Sequence, residues 1–224
     1  MCFSVQSDLA VGIALVPVGI ASLREVRHAR EVPFAALPLL FAVHQLIEAV
    51  VWAAAEGDVS ASVGHRAAIA YLVIALPLLP FLVPLAVLLL EPRGARARVA
   101  PFVGLGAVVA AYLAFALASS PVTVVAHEHA LVYDTGVEHG GFWTTLYIVA
   151  VIGPSVLSGY PTIVAFGLLN LVGLTVVAIL YTEAFVSLWC VYAACTSVLV
   201  LLHMVRRRRL PDPHRLRGEP LVPA

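Results

Sequence analysis

Seven apolar stretches, at about residues 7–23, 33–54, 67–90, 100–119, 142–157, 160–181 and 184–205, occupy nearly all of this 224-residue chain. Each comes close to or exceeds the roughly 20 residues a helix needs to cross a bilayer's hydrocarbon core. The arginines divide unevenly between the gaps. Arg24, Arg27 and Arg30 fill the first gap and Arg93, Arg96 and Arg98 the third, while Arg206–Arg209, Arg215 and Arg217 follow the last stretch. Only Arg66 falls in a gap of the other parity. Arginine close to a membrane span resists translocation and collects on the cytoplasmic side. The expected fold is therefore an all-α, polytopic transmembrane bundle of seven helices in the cytoplasmic (inner) membrane. Its N-terminus is expected outside and its C-terminus in the cytoplasm, with one domain over 1–209 and a disordered cytoplasmic tail over 210–224.

Composition supports this reading. The chain is 62% hydrophobic and 12% charged, with a mean hydropathy of +1.00. A soluble domain carries about a quarter charged residues, so too little polar surface is left here for a solvated shell. The formal net charge is zero, but Asp8, Glu56, Asp58, Glu128, Asp134, Glu138 and Glu183 sit in the gaps opposite the arginines. The absence of lysine excludes a retinal Schiff base. Three cysteines in apolar settings are no disulfide framework. The start has neither a basic n-region nor a cleavage site, so the first stretch is expected to remain as a helix. The partners expected are the bilayer and, at the Arg206–Arg209 run, anionic lipid headgroups, with no nucleic acid.

Two segments stand apart from simple spans. The third stretch carries Pro77, Pro80 and Pro84, which remove backbone donors and kink a helix. It reads either as a bent packing helix or as one whose freed carbonyls line a polar cavity. The longest outer gap, Pro121 to Gly141, reads as a loop holding His127, Glu128, His129, Asp134, Glu138 and His139. A short turn, Ser158-Gly159-Tyr160-Pro161, separates the fifth and sixth stretches, which could also form a re-entrant pair.

The strongest chemical clue is Glu48. His44, Glu48 and Trp52 are spaced i, i+4, i+8 and share one helix face. With Trp52 at the outer headgroup level, Glu48 lies about 6 Å deeper and His44 about 12 Å deeper. An ionisable group at that depth costs about 2–3 kcal/mol unless it faces the bundle interior. The pair reads as a helix lock or as a proton, metal or substrate group. Cys190 is expected at a similar depth on the last helix, sharing a face with Ser187 and Ala194. Removal of Met1 would leave a free amine and thiol on Cys2, able to bind metal or act as a nucleophile. His127 and His129, at i, i+2, could bind one metal from a strand or loop, without a recognised zinc spacing. Asn170 reads as an interhelical hydrogen bond and Gly153-Pro154-Ser155 as a close-packing stretch. His44 and His203 lie at unmatched depths, which argues against haem b.

Met1-Cys2-Phe3-Ser4, the pattern Pro38-Leu-Leu-Phe…Gln45-x-x-Glu48-x-x-Val51-Trp52, and Leu188-Trp189-Cys190-x-x-Ala193-Ala194 together resemble an uncharacterised family of small prokaryotic multi-pass membrane proteins that open with Met-Cys-Phe-Ser. The resemblance spans nearly the whole chain. It implies that Cys2, Gln45, Glu48, Trp52, Trp189 and Cys190 belong to one motif set. His44 stands where that family is expected to have Gln. These residues converge on an outer-half site. Glu48 and Cys2 are its catalytic candidates, Trp52 and Trp189 line a bound cofactor, and Cys2, Glu48, His127, His129 and Cys190 are the ligand set for a divalent metal. The site fits a membrane enzyme or a metal- or small-molecule-binding protein, although the His-x-x-x-His helix of membrane zinc hydrolases is absent. Two alternatives are a proton-coupled transporter or channel, working through Glu48, His44 and the kinked third helix, and a sensor or assembly factor acting through its arginine tail. No internal repeat of broken helices, the usual mark of a transporter, is evident.

Overall fold

The computed structural model describes residues 4–127, 130–180, 192 and 194–209. Cys2, Glu128, His129, Glu183, Ser187, Trp189, Cys190 and the tail over 210–224 lie outside these residues. Nine helices, α1 Val5–Arg24, α2 Val32–Ala35, α3 Leu37–Glu56, α4 Ala61–Val73, α5 Leu79–Leu90, α6 Ala100–Ser119, α7 Gly140–Val156, α8 Pro161–Leu180 and α9 Val198–Arg208, are joined among the described residues by short connections. Four stretches are long and apolar enough to cross a membrane: Val5–Arg24, Ala29–Glu56, Ala61–Leu90 and Ala100–Ser119. Large apolar side chains such as Ile13, Val108 and Phe115 point outward from them.

The helices close on themselves. α1 packs against α3 and α9, α9 against α8, α8 against α7, and α7 against α5, which continues from α4 back to α3. α6 lies outside, against α5 and α7, and buries one stripe of Gly106, Val109, Leu113 and Ala116.

Three expectations from sequence are revised. The third helix begins at Ala61 rather than 67, six residues longer, because Gly64 removes the side chain that would collide with the Cβ of Ala54 on α3. The 121–141 loop is not irregular. Thr123–His127 (β1) and Ala130–Asp134 (β2) pair antiparallel from Thr123↔Asp134 to His127↔Ala130, one short hairpin in an otherwise helical fold. Its strands carry Thr123, Val124, Val125 and Val132, whose branched side chains pack well on a pleated surface. Finally, the last helix runs to Arg208 rather than ending at 205.

The prolines of the third stretch produce a π turn at Ile74–Leu78. The Leu79 N–H bonds to the Ile74 carbonyl, and Pro80 has no N–H to give, so the Ala75 carbonyl loses its helical partner. The Tyr147 hydroxyl on α7 donates to it at 2.7 Å. This is the bent packing helix, its freed carbonyl satisfied by a neighbour. Tyr147→Phe should strand that carbonyl and cost about 1–3 kcal/mol, read as a drop in the melting temperature of detergent-solubilised protein.

The arginine end of the bundle is closed by a network. Arg207 Nε donates to Glu31 Oε1 at 2.9 Å, with both side chains under one-tenth exposed. The other oxygen of Glu31 accepts the Arg27 and His28 backbone N–H groups at 2.8 and 3.3 Å. Arg207 Nη1 also donates to the Tyr160 hydroxyl, which donates to the Leu90 carbonyl. Glu91, fully buried, accepts from Ser158 Oγ at 2.6 Å, Gly159 N at 2.8 Å and Arg98 Nη2 at 3.1 Å. Two members of the arginine run that reads as a lipid anchor are thus held by protein, Arg207 by Glu31 and Arg208 by Glu25 at 3.0 Å; Arg206 and Arg209 remain exposed. Arg207→Ala leaves a carboxylate buried without its charge partner and should cost about 3–5 kcal/mol. Arg208→Ala breaks an exposed pair and should cost under about 1 kcal/mol. Parallel thermal melts in detergent check the difference.

Candidate functional site

At the opposite end, α3 buries a run of polar residues on its inner face. His44, Gln45 and Glu48 are fully buried and Trp52 is 5% exposed. Spacings of i, i+3 and i+4 bring these four side chains onto one broad stripe. Each helix contributes through a definite register. Along the α1–α3 interface, Val5 packs against the cluster containing Trp52. A Cβ at Gly12 would lie 2.8 Å from Leu46, and one at Gly19 would lie 2.6 Å from the Leu39 Cβ. An antiparallel pair with these contacts sets Asp8 level with Glu48. Asp8, in the first turn of α1, is 1% exposed.

α4 supplies the next wall. The His44 Nε2 lies 3.1 Å from the Tyr71 carbonyl. A carbonyl only accepts, so Nε2 carries the proton in this contact. The imidazole also stacks on the Tyr71 ring, centroids 3.9 Å apart and planes 18° off parallel. Tyr71 in turn stacks on Tyr133 of β2 at 4.9 Å and 16°. Three rings therefore join α3, α4 and the hairpin. Leu131 beside them is 1% exposed and packs with Val51, Trp52 and Ala68. The hairpin covers this end of the α1–α3–α4 cluster. Its return to α7 is fastened by Gly136 N bonding Asp134 Oδ1 at 3.1 Å. Tyr112, stacked on Trp143, donates to the Glu138 carbonyl at 3.0 Å.

Among the described residues, neither polar atom of Gln45 has a hydrogen-bond partner, nor do Asp8 Oδ2, His44 Nδ1 and Trp52 Nε1. A buried amide without partners costs about 1–3 kcal/mol per unmade group. Such a set calls for further polar contact. The chain's arginines do not supply it: Arg66 is exposed and bonds the Ser62 carbonyl, and the others with described positions lie at the arginine end.

Of the residues expected from sequence to form the site, Glu48 and Trp52 come together here with Gln45. His127 is exposed at the end of β1. No group of three or more His, Cys, Asp or Glu among the described residues is placed to hold a metal ion. Asn170 donates to the Phe166 carbonyl and to Thr196 Oγ1, at 2.8 and 3.0 Å, the helix-to-helix bond expected of it. Gly153 leaves room for the Phe102 ring of α6. Asp8, Tyr71 and Tyr133 were missed. An acid at the edge of the first apolar stretch was a signal for Asp8, although it reads equally as a helix boundary.

The family model that matches the chain covers residues 1–216, from the N-terminus through the hairpin and the arginine run. The chain belongs to DUF6629, a family of unknown function. No curated protein and no solved structure matches it. The DUF6629 model therefore takes in both the arginine end and the polar cluster beneath the hairpin.

If the hairpin is held by its buried contacts, Leu131→Ala with Tyr133→Ala should release it. Protease cleavage within 123–134 should rise several-fold in the double variant, while thermal melting of the helices changes by no more than a few degrees.

Proposed function

We propose that this protein is a seven-helix member of the cytoplasmic membrane of a prokaryote, with its Met-Cys-Phe-Ser start outside and its arginine end in the cytoplasm. It binds a small ligand at a polar site centred on Glu48 in the outer half of the bundle. Support for the orientation comes from the arginine parity, and for membrane residence from four helices of spanning length. The observation that carries the binding reading is Gln45, fully buried next to Glu48 with both amide atoms lacking a partner among the described residues. Trp52 walls the site on the hairpin side, and Leu131 and Tyr133 cover it.

Proton-coupled transport through Glu48 and His44 has less support. The His44 Nε2 proton is committed to the Tyr71 carbonyl, and the ring is held in a stack. The bend in the third helix is likewise pinned by Tyr147.

The test is native mass spectrometry with elemental analysis of the full chain purified in mild detergent, wild type beside Glu48→Gln. A near-stoichiometric bound species in wild type that is lost from a folded Glu48→Gln protein is the expected result. Identical spectra from both, with no bound species, would overturn the reading.

A further inference from the structure

We propose that the ends of α1 and α9 form a site for one anionic phospholipid, with Arg24, Arg27, Arg206 and Arg209 gathered around its headgroup phosphate. The inference draws on the membrane residence proposed above and is independent of the Glu48 site. Three observations support it.

The first is placement. α1 packs against α9, and two ion pairs hold the end of α9 against the end of α1 and the connection that follows it. Arg208 Nη1 donates to Glu25 Oε2 at 3.0 Å, and Arg207 Nε donates to Glu31 Oε1 at 2.9 Å. The other oxygen of Glu31 takes the Arg27 backbone N–H. Arg24 and Arg27 on one segment, and Arg206 and Arg209 on the other, therefore flank the same two pairs.

The second is charge. Glu25 and Glu31 are already engaged by Arg208 and Arg207. Arg24, Arg27, Arg206 and Arg209 are exposed, and none of them has a carboxylate partner among the described residues. Four guanidinium groups around a pair of neutral bridges are left to meet an anion from outside the chain. Their planar forks match phosphate oxygens in geometry and stay charged.

The third is the order of side chains along each helix. On α1, Ile13, Pro17, Ile20 and Arg24 are all exposed and follow at i, i+4, i+7 and i+11, which is one outward stripe. On α9, Val198, Leu202, Arg206 and Arg209 repeat the pattern at i, i+4, i+8 and i+11. Both helices run towards the ion pairs, so both stripes are apolar first and turn to arginine at the same end. A phospholipid has that order, acyl chain and then phosphate. A soluble phosphate has no chain to lay on Ile20 or Leu202, so the pattern selects a lipid. It also selects a net negative headgroup, because the choline of a zwitterionic lipid would lie among arginines.

The test is native mass spectrometry of the full chain in mild detergent, titrated with phosphatidylglycerol or with phosphatidylcholine of the same acyl chains. Wild type is expected to hold one phosphatidylglycerol per chain, several-fold more tightly than phosphatidylcholine. Arg24→Gln and Arg206→Gln should each weaken phosphatidylglycerol about five-fold, while Arg206→Lys keeps most of the binding. Arg93→Gln removes an exposed arginine from the connection before α6 and should leave binding unchanged, as should Glu48→Gln. Equal retention of the two lipids overturns the inference. So does an Arg93→Gln loss as large as that of Arg206→Gln, which would mark diffuse attraction to the whole arginine end. Displacement of phosphatidylglycerol by millimolar inorganic phosphate overturns it in favour of a soluble anion. A chain that stays dispersed without detergent would take membrane residence down with it, whereas the other failures leave that reading standing.

Discussion

The close packing of α1 on α3 is the constraint on which the rest of this structure depends. Two helices approach this near only where one presents no side chain, and Gly12 and Gly19 provide that gap: a Cβ at Gly19 would meet the backbone nitrogen of Leu39 at 2.7 Å. The approach fixes the register between the helices, and register decides which side chains share a level. Asp8 is brought to the level of Glu48 along α3 by the same geometry that puts Gly19 on Leu39. Small residues serve this purpose in apolar surroundings, where van der Waals contact rather than water drives association.

The two ends of the bundle face the same physical requirement. In a low-dielectric interior every polar group needs a partner. At the arginine end two buried acids are met from within: Glu31 receives a guanidinium and two backbone N–H groups, and Glu91 receives a hydroxyl, a backbone N–H and a guanidinium, while Arg207 Nη2 and His203 Nε2 have no hydrogen-bond partner among the described residues. Glu31 and Arg207 lie 176 positions apart in the chain, so this pair also locks the connection after α1 to the last helix. At the hairpin end a glutamine, an aspartate oxygen and an indole N–H stay without partners among the described residues. Unpartnered buried atoms thus occur at both ends, and what sets the hairpin end apart is Gln45, both of whose amide atoms lack a partner among the described residues.

Much of this was open to sequence reasoning. The apolar stretches foretold the helices closely, down to α6 at Ala100–Ser119, because hydrophobic runs of that length have few other folds. The inward face of Glu48 followed from helical spacing and the cost of a buried charge. The prolines marked the bend of the third stretch. The hairpin was not legible: its strands are short, rich in valine and lie between histidines and acids, so local composition reads as loop. Asp8 was read with the acids of the gaps opposite the arginines because it sits at the edge of an apolar run, where only the packing of the helices could show whether it faces lipid, water or protein. Glu25, Glu31 and Glu91 were overlooked because the arginines near them were read as topological markers rather than as partners.

The sequence by itself determined which segments are apolar enough to be helices, where the arginines gather, and which face of α3 must turn inward. These properties follow from hydropathy and a 3.6-residue period, which are local. Tertiary structure alone decided that Arg207 meets Glu31, that Asp8 stands level with Glu48, and that Tyr133 of the hairpin closes a stack begun by His44 and Tyr71. Each is a meeting between elements whose rotation and register arise only when helices pack, and a one-turn slide, about 5.4 Å, would undo any of them without altering a single local pattern.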